Sequence, residues 1–244
     1  MSQAKPPNRA LDQLLREQCE IVSRRQALAC GISVGELRTR LRPDGPWKVI
    51  LPGVYLAHNG LLTVGQRERA ATLYAGNGSV ISGRAALARQ GIRVPLSDVV
   101  DVLVPHERIR ANTEFVRVHR TKGMPAQVLQ TDGLLWALAA RAVADATRGQ
   151  TDLRAARAVV ADAVQRGKCT VGQLAAELDA GPKQGSAALR AALEDVMAGA
   201  DSDQPAVSCP LQAATAAPAY PRNIFPLTQQ PRISRLKLPN PATN

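Results

Sequence analysis

Apolar positions recur at helical spacing in short stretches near the start of the chain, then switch to strand-like alternation. Leu11, Leu14 and Leu15, with Gln18 closing the stripe, predict a helix over 10–19. Ser23-Arg24-Arg25-Gln26 and Ser33-Val34-Gly35-Glu36 both have the form of a capping box. There a Ser hydroxyl accepts the third helical N–H, and a Gln or Glu side chain reaches back. Helices are therefore predicted after Ser23 and after Ser33, with Gly31 closing the first and only Gly31-Ile32-Ser33 left as the connection. Pro43-Asp44-Gly45-Pro46 stops the second, since proline lacks an N–H and disfavours helix in the residue before it. Strands are predicted over 47–50 and 53–57, about a Leu51-Pro52-Gly53 turn. Helix, turn, helix and hairpin make the order of a winged helix-turn-helix, predicted over 10–60.

The pattern then changes twice. Thr63-Val64-Gly65-Gln66 is another capping box, and its helix runs to about Tyr74, ended by Gly76-Asn77-Gly78. A short strand is predicted over 79–82, a helix over 83–90 before Gly91, and strands over 99–104 and 115–119. The last two are expected to pair antiparallel, with His106 and Glu107 in their loop, giving a small α/β segment at 61–125. From Gln130 the chain is alanine-rich and helical in period, with helices predicted over 133–147, 152–166, 171–178 and 185–199. Thr170-Val171-Gly172-Gln173 repeats the capping device. This is a helical subdomain at 126–200. Residues 1–9 read as a disordered arm. Residues 201–244 hold eight of the 17 prolines and keep no period, so they read as a disordered tail. The fold class expected is α+β, mainly α.

The second helix of the first unit has two faces. Val34, Leu37 and Leu41 fall at i, i+3 and i+7 and are expected to face the core. Gly35, Arg38, Thr39 and Arg42 fall on another side, behind the cap Ser33. A small residue near the helix N-terminus and two guanidinium groups suit entry into a DNA major groove. Arg24 and Arg25, in the first turn of the preceding helix, and Lys48 in the hairpin suit phosphate contacts. An ordinary surface helix with solvated arginines would show the same spacing.

The stretches SRRQALACGIS, WKVILPGVYLAHNG and TVGQRERAATLYAGNGSVISGRAALARQGI resemble the AbiEi antitoxin family, over roughly residues 10 to 200 and most strongly before 125. The matching positions are the start of the helix-turn-helix, Leu51-Pro52-Gly53-Val54-Tyr55, and the 82–91 helix. The resemblance implies a winged-helix domain that binds double-stranded DNA and represses its own operon. It also implies a following region that neutralises a nucleotidyltransferase-type toxin. Many members continue into a Vsr-type PD-(D/E)XK endonuclease domain. The chain departs from that pattern after Gly199, and a change of reading frame or premature divergence is the expected cause.

Composition narrows the partners. A net charge of +11 favours a polyanion, and an aromatic content of 3% disfavours RNA modules that stack bases on several rings. Cys19, Cys30, Cys169 and Cys209 form no C-x-x-C pair and lie far from His58, His106 and His119 in sequence, so no metal site is expected. A metal-dependent nuclease would need carboxylates near a lysine. Asp98, Asp101, Glu107 and Glu114 flank strands, but Arg117 stands where the lysine would be, and arginine stays charged. Ser79 is not in a G-x-S-x-G elbow, and Gly76 and Gly78 lack the lysine of a phosphate loop. No enzyme activity and no cofactor are expected. Neither a signal peptide nor a membrane span is legible, so free thiols in a cytoplasm and no membrane partner are expected. The alternatives are a degenerate or truncated Vsr/PD-(D/E)XK-type endonuclease fusion that has lost its nuclease, and a module that binds only protein.

Overall fold

Asn8 starts the first helix, α1 (Arg9–Glu17): its side chain accepts from Leu11 N at 3.1 Å and donates to Cys30 O at 2.6 Å. The computed structural model describes residues 8–95, 97–202 and 224–226. After α1, Cys19 and Glu20 take φ values of 52° and 64°, ending the helix two residues short of the predicted 19. They turn the chain into β1 (Ile21–Ser23), a strand the apolar pattern did not show because it has only three residues. α2 (Arg24–Ala29) carries both arms of the Ser23–Gln26 capping box. α3 (Val34–Arg40) starts where Ser33 Oγ accepts from Glu36 N at 3.1 Å. β2 (Lys48–Leu51) and β3 (Val54–Leu56) form the hairpin, and β1 adds to β3, giving an antiparallel sheet in the order β1-β3-β2. Leu11, Val22, Ala27, Ile32, Leu37, Trp47 and Tyr55 form the core of this unit.

Two expectations for α3 are corrected. Of the stripe expected to face inward, Leu37 is buried and Leu41 half-buried, but Val34 is 41% exposed. The helix also ends at Arg40 with Leu41 as its C-cap, so Arg42 is not on the helix face. Arg42 sits in the following turn, where its carbonyl accepts from Gly45 N at 2.8 Å. The restriction from Pro43 acts on Arg42, and Arg40 O accepts from Trp47 N at 3.0 Å instead of continuing the helix.

The rest of the chain builds a mixed α/β arrangement around a second sheet. In order come α4 (Val64–Ala75), β4 (Val80–Ser82), α5 (Gly83–Arg89), β5 (Val100–Pro105), β6 (Val116–Thr121), β7 (Gln127–Thr131) and β8 (Leu134–Ala137). They are followed by α6 (Ala139–Thr147), α7 (Leu153–Gln165), α8 (Val171–Ala180), α9 (Ala187–Ser202) and β9 (Ile224–Pro226). The strand order is β6-β5-β4-β8-β7-β9. Its core runs from Val80, Ile81, Val102 and Leu103 through Trp136 to Val160, Leu174 and Ala192. Ile21, Leu51, Val54 and Leu56 of the small sheet belong to this same core, which reaches them through α4, the helix packed against both sheets.

Two further readings are corrected here. β5 and β6 pair parallel, not antiparallel, with Val102 opposite Val118. Alternation reports which face a residue takes and carries no strand direction. The helix predicted over 133–147 starts only at Ala139, because 127–137 is a hairpin. Its turn is Asp132-Gly133, with φ of 54° and 67°. Both central residues of a type I′ hairpin turn need positive φ, which is why Asp-Gly suits it. That signal was present, but the alanine-rich run behind it has a helical period. Residues 127–137 therefore join the sheet of 80–121.

The tail reading is also corrected in part. Asp201 and Ser202 end α9, and Ile224–Pro226 is a strand, with Phe225 opposite Val128 of β7. A three-residue strand shows no period in sequence, and its partner lies about 97 residues away. The remainder of 201–244, and residues 1–7 of the predicted arm, lie outside the described residues. Among the described residues no helix is long and apolar enough to cross a membrane.

Candidate nucleic-acid interface

α3 presents its outer side to solvent for a local reason. Leu37 is drawn into the core, which leaves Gly35, Arg38 and Thr39 exposed on the turns around it. Thr39 Oγ1 donates to Gly35 O at 3.1 Å, so its hydroxyl is held along the helix. Arg38 is exposed and has no ion pair among the described residues, whereas its neighbour Arg40 is occupied. Arg40 meets Glu36 at 3.0 Å, and its guanidinium lies 5.0 Å from the centroid of the Trp47 ring. Ser33 spends its hydroxyl on the cap of α3. Arg24 and Arg25 are exposed at the start of α2, and Arg24 N donates to Gly53 O at 2.8 Å, tying that turn to the hairpin. Lys48 is exposed on β2, and its ammonium donates to the carbonyls of Asn59 and Gly60.

A cleft of about 680 Å³ opens beside this unit, where the hairpin turn and the start of α2 face the end of α4. Arg25 is the only predicted contact residue on its walls; Arg108 and Arg110 also line it. The sequence reading missed these two. They reach the cleft because β5 and β6 run parallel, so the chain from Pro105 must travel back along the sheet before β6 can begin. That return path crosses the end of α4. Arg108 Nη1 donates to Ala75 O at 3.2 Å, and Tyr74 Oη donates to Ala111 O at 3.0 Å. No local sequence signal could have found this, because it follows from strand direction.

Other polar groups pair in ways that sequence spacing did not show. His119 Nε2 lies 2.7 Å from Asp101 Oδ1, and His58 Nε2 lies 3.3 Å from Glu20. Asp145 receives Ser82 Oγ at 2.6 Å and Arg141 Nε at 2.9 Å, with Arg148 at 3.5 Å. Arg141 also reaches Glu177 at 3.7 Å; burial raises the Glu177 carboxyl above its ordinary range, and Arg141 opposes that. Burial pushes the Cys169 thiol up to about 11, which keeps it protonated and a poor nucleophile at neutral pH. Among the described residues, no three His, Cys, Asp or Glu side chains gather as metal ligands would. These pairs tie separate elements together. The chain matches no protein-family model, and no curated protein matches it.

Proposed function

We propose that the protein is a sequence-specific double-stranded DNA-binding regulator of the AbiEi antitoxin type. In this reading residues 9–60 act as a winged helix. α3 enters the major groove with Gly35, Arg38 and Thr39, while Arg24, Arg25, Arg42 and Lys48 engage phosphates. A nucleotidyltransferase-type toxin is the second partner proposed, with the cytoplasm as the site of action. The observation that carries the reading is the state of α3. It follows α2 through a short Cys30–Ser33 connection, buries Leu37, and leaves Arg38 solvent-facing with no carboxylate partner among the described residues.

The test is salt-dependent binding of the full chain to DNA from its own upstream region. The full chain is needed because Ile21, Leu51, Val54 and Leu56 are buried in the core that the rest of the chain builds, with α4 packed on their sheet. If about four phosphates are neutralised, log K should fall with log salt at a slope near −3.6. That is roughly two orders of magnitude between about 50 and 200 mM salt. Binding that ignores ionic strength, or shows no preference over unrelated duplex, would sink the proposal.

A further inference from the structure

The cleft between the first unit and the end of α4 is not needed for α3 to read DNA, and its walls have their own chemistry. Three arginines line it, Arg25 of α2 and Arg108 and Arg110 of the β5–β6 loop, and no described Asp or Glu lines it. Like charges gathered without a counter-charge repel one another unless an anion joins them. Two of the three are held in place. Arg108 is anchored on Ala75 O at 3.2 Å and lies over Gly76, where an added Cβ would come within 3.4 Å of its Nη1. Gly76 also has φ of 94°, a conformation that side chains rarely adopt, so this position both ends α4 and keeps the space for Arg108. Arg110 lies 6.0 Å from the centroid of the Tyr74 ring, which is itself fixed by its hydrogen bond to Ala111 O.

Arg108 commits one N–H to Ala75 and retains further donors; Arg25 has no ion pair among the described residues. Gln26 and Asn77 add neutral amides to the walls, and Gln26 Oε1 is already committed to Ser23, leaving its amino group as a donor. Guanidinium forks match phosphoryl oxygens in shape and charge. The volume falls within the roughly 300–1,000 Å³ of small-ligand sites, so it suits a whole ligand better than a single backbone phosphate.

We propose that this cleft binds a small phosphorylated anion of the nucleoside-diphosphate class, with Arg25, Arg108 and Arg110 holding its phosphoryl groups. The site shares Arg25 with the proposed phosphate contacts but none of the α3 residues, and the proposal does not rest on the DNA-binding reading.

Calorimetric titration of the full chain with pyrophosphate, with ADP and with adenosine tests it, alongside duplex DNA. Pyrophosphate and ADP should bind and adenosine should not. Arg108→Ala and Arg110→Ala should each weaken ADP at least tenfold, and Arg38→Ala should leave ADP unchanged. Arg108→Ala removes a cap on α4, so Arg25→Ala and Arg110→Ala, which keep that bond, decide the matter if it fails to fold. No binding of either phosphorylated probe, or equal binding by Arg25→Ala and Arg110→Ala, overturns the proposal. So does a result in which these variants weaken only duplex DNA, since the loop would then serve a nucleic-acid backbone. Loss of DNA binding in Arg38→Ala with ADP retained separates the two sites.

Discussion

The arginines of the first 125 residues and those of the helices after Leu138 live in different electrostatic settings. Residues 1–125 hold 19 Lys and Arg against 10 Asp and Glu, while residues 126–200 hold eight of each. In the second region four of the eight basic residues are paired: Arg141 and Arg148 with Asp145, Arg157 with Asp195, Arg166 with Asp162. In the first, Arg40, Arg67 and Arg89 are paired, but Arg24, Arg25, Arg38, Arg108 and Arg110 meet no carboxylate among the described residues. Exposed ion pairs gain little in water, so pairing in itself says little about stability. What differs is availability. A guanidinium already bridged to a carboxylate must lose that partner before it can meet a phosphate, and an unpaired one need not.

The largest effect expected from this contrast is on stability, at Asp145. Its carboxylate is 5% exposed and takes three partners, so Asp145→Ala leaves Ser82 without its acceptor and Arg141 without its main counter-charge. The cost should be about 3 kcal/mol, at the low end for a broken buried pair because Arg141 and Arg148 keep some contact with water. Thermal melts should fall by about 6–12 °C, with the DNA affinity of the folded protein unchanged. A melt shift below the scatter of replicate scans would show that Asp145 holds nothing.

The next effect is on DNA recognition. Arg38→Ala should cost about 1–3 kcal/mol on the preferred site and relax sequence preference, as loss of a base contact does. Arg24→Ala should weaken all duplexes about equally, because a phosphate contact carries no base information. If Arg38→Ala keeps full preference, α3 is the wrong helix. The smallest effect belongs to Arg157, whose ion pair with Asp195 is half exposed on both sides. Arg157→Ala should cost about 0.2–1 kcal/mol and leave DNA binding as it was. A drop in DNA affinity there would dissolve the contrast between the two regions.

Legibility varied with the range of the interaction. The caps at Ser23, Ser33, Thr63 and Thr170 could be placed from four-residue motifs, and in the structure each side chain takes the expected N–H. The exposed side of α3 was legible at Gly35, Arg38 and Thr39 from a period of 3.6. Arg42 was misplaced because the pattern runs on past the point where Arg40 O turns to Trp47 N. Arg108 and Arg110 could not be assigned at all, since their place depends on a loop that must return along a parallel pair.

By itself the sequence determined where the capped helices α2, α3, α4 and α8 begin, where Gly31 and Gly76 stop α2 and α4, and that the basic excess is large. Those outcomes depend on contacts three or four residues apart and on backbone angles special to one residue, so they are written locally. Tertiary structure alone decided that 127–137 joins the sheet, that β5 and β6 run parallel, and that Ile224–Pro226 lies along β7. It also decided which arginines are neutralised. A carboxylate partner such as Asp195 for Arg157 is set by how helices pack, and packing depends on residues far apart in the chain.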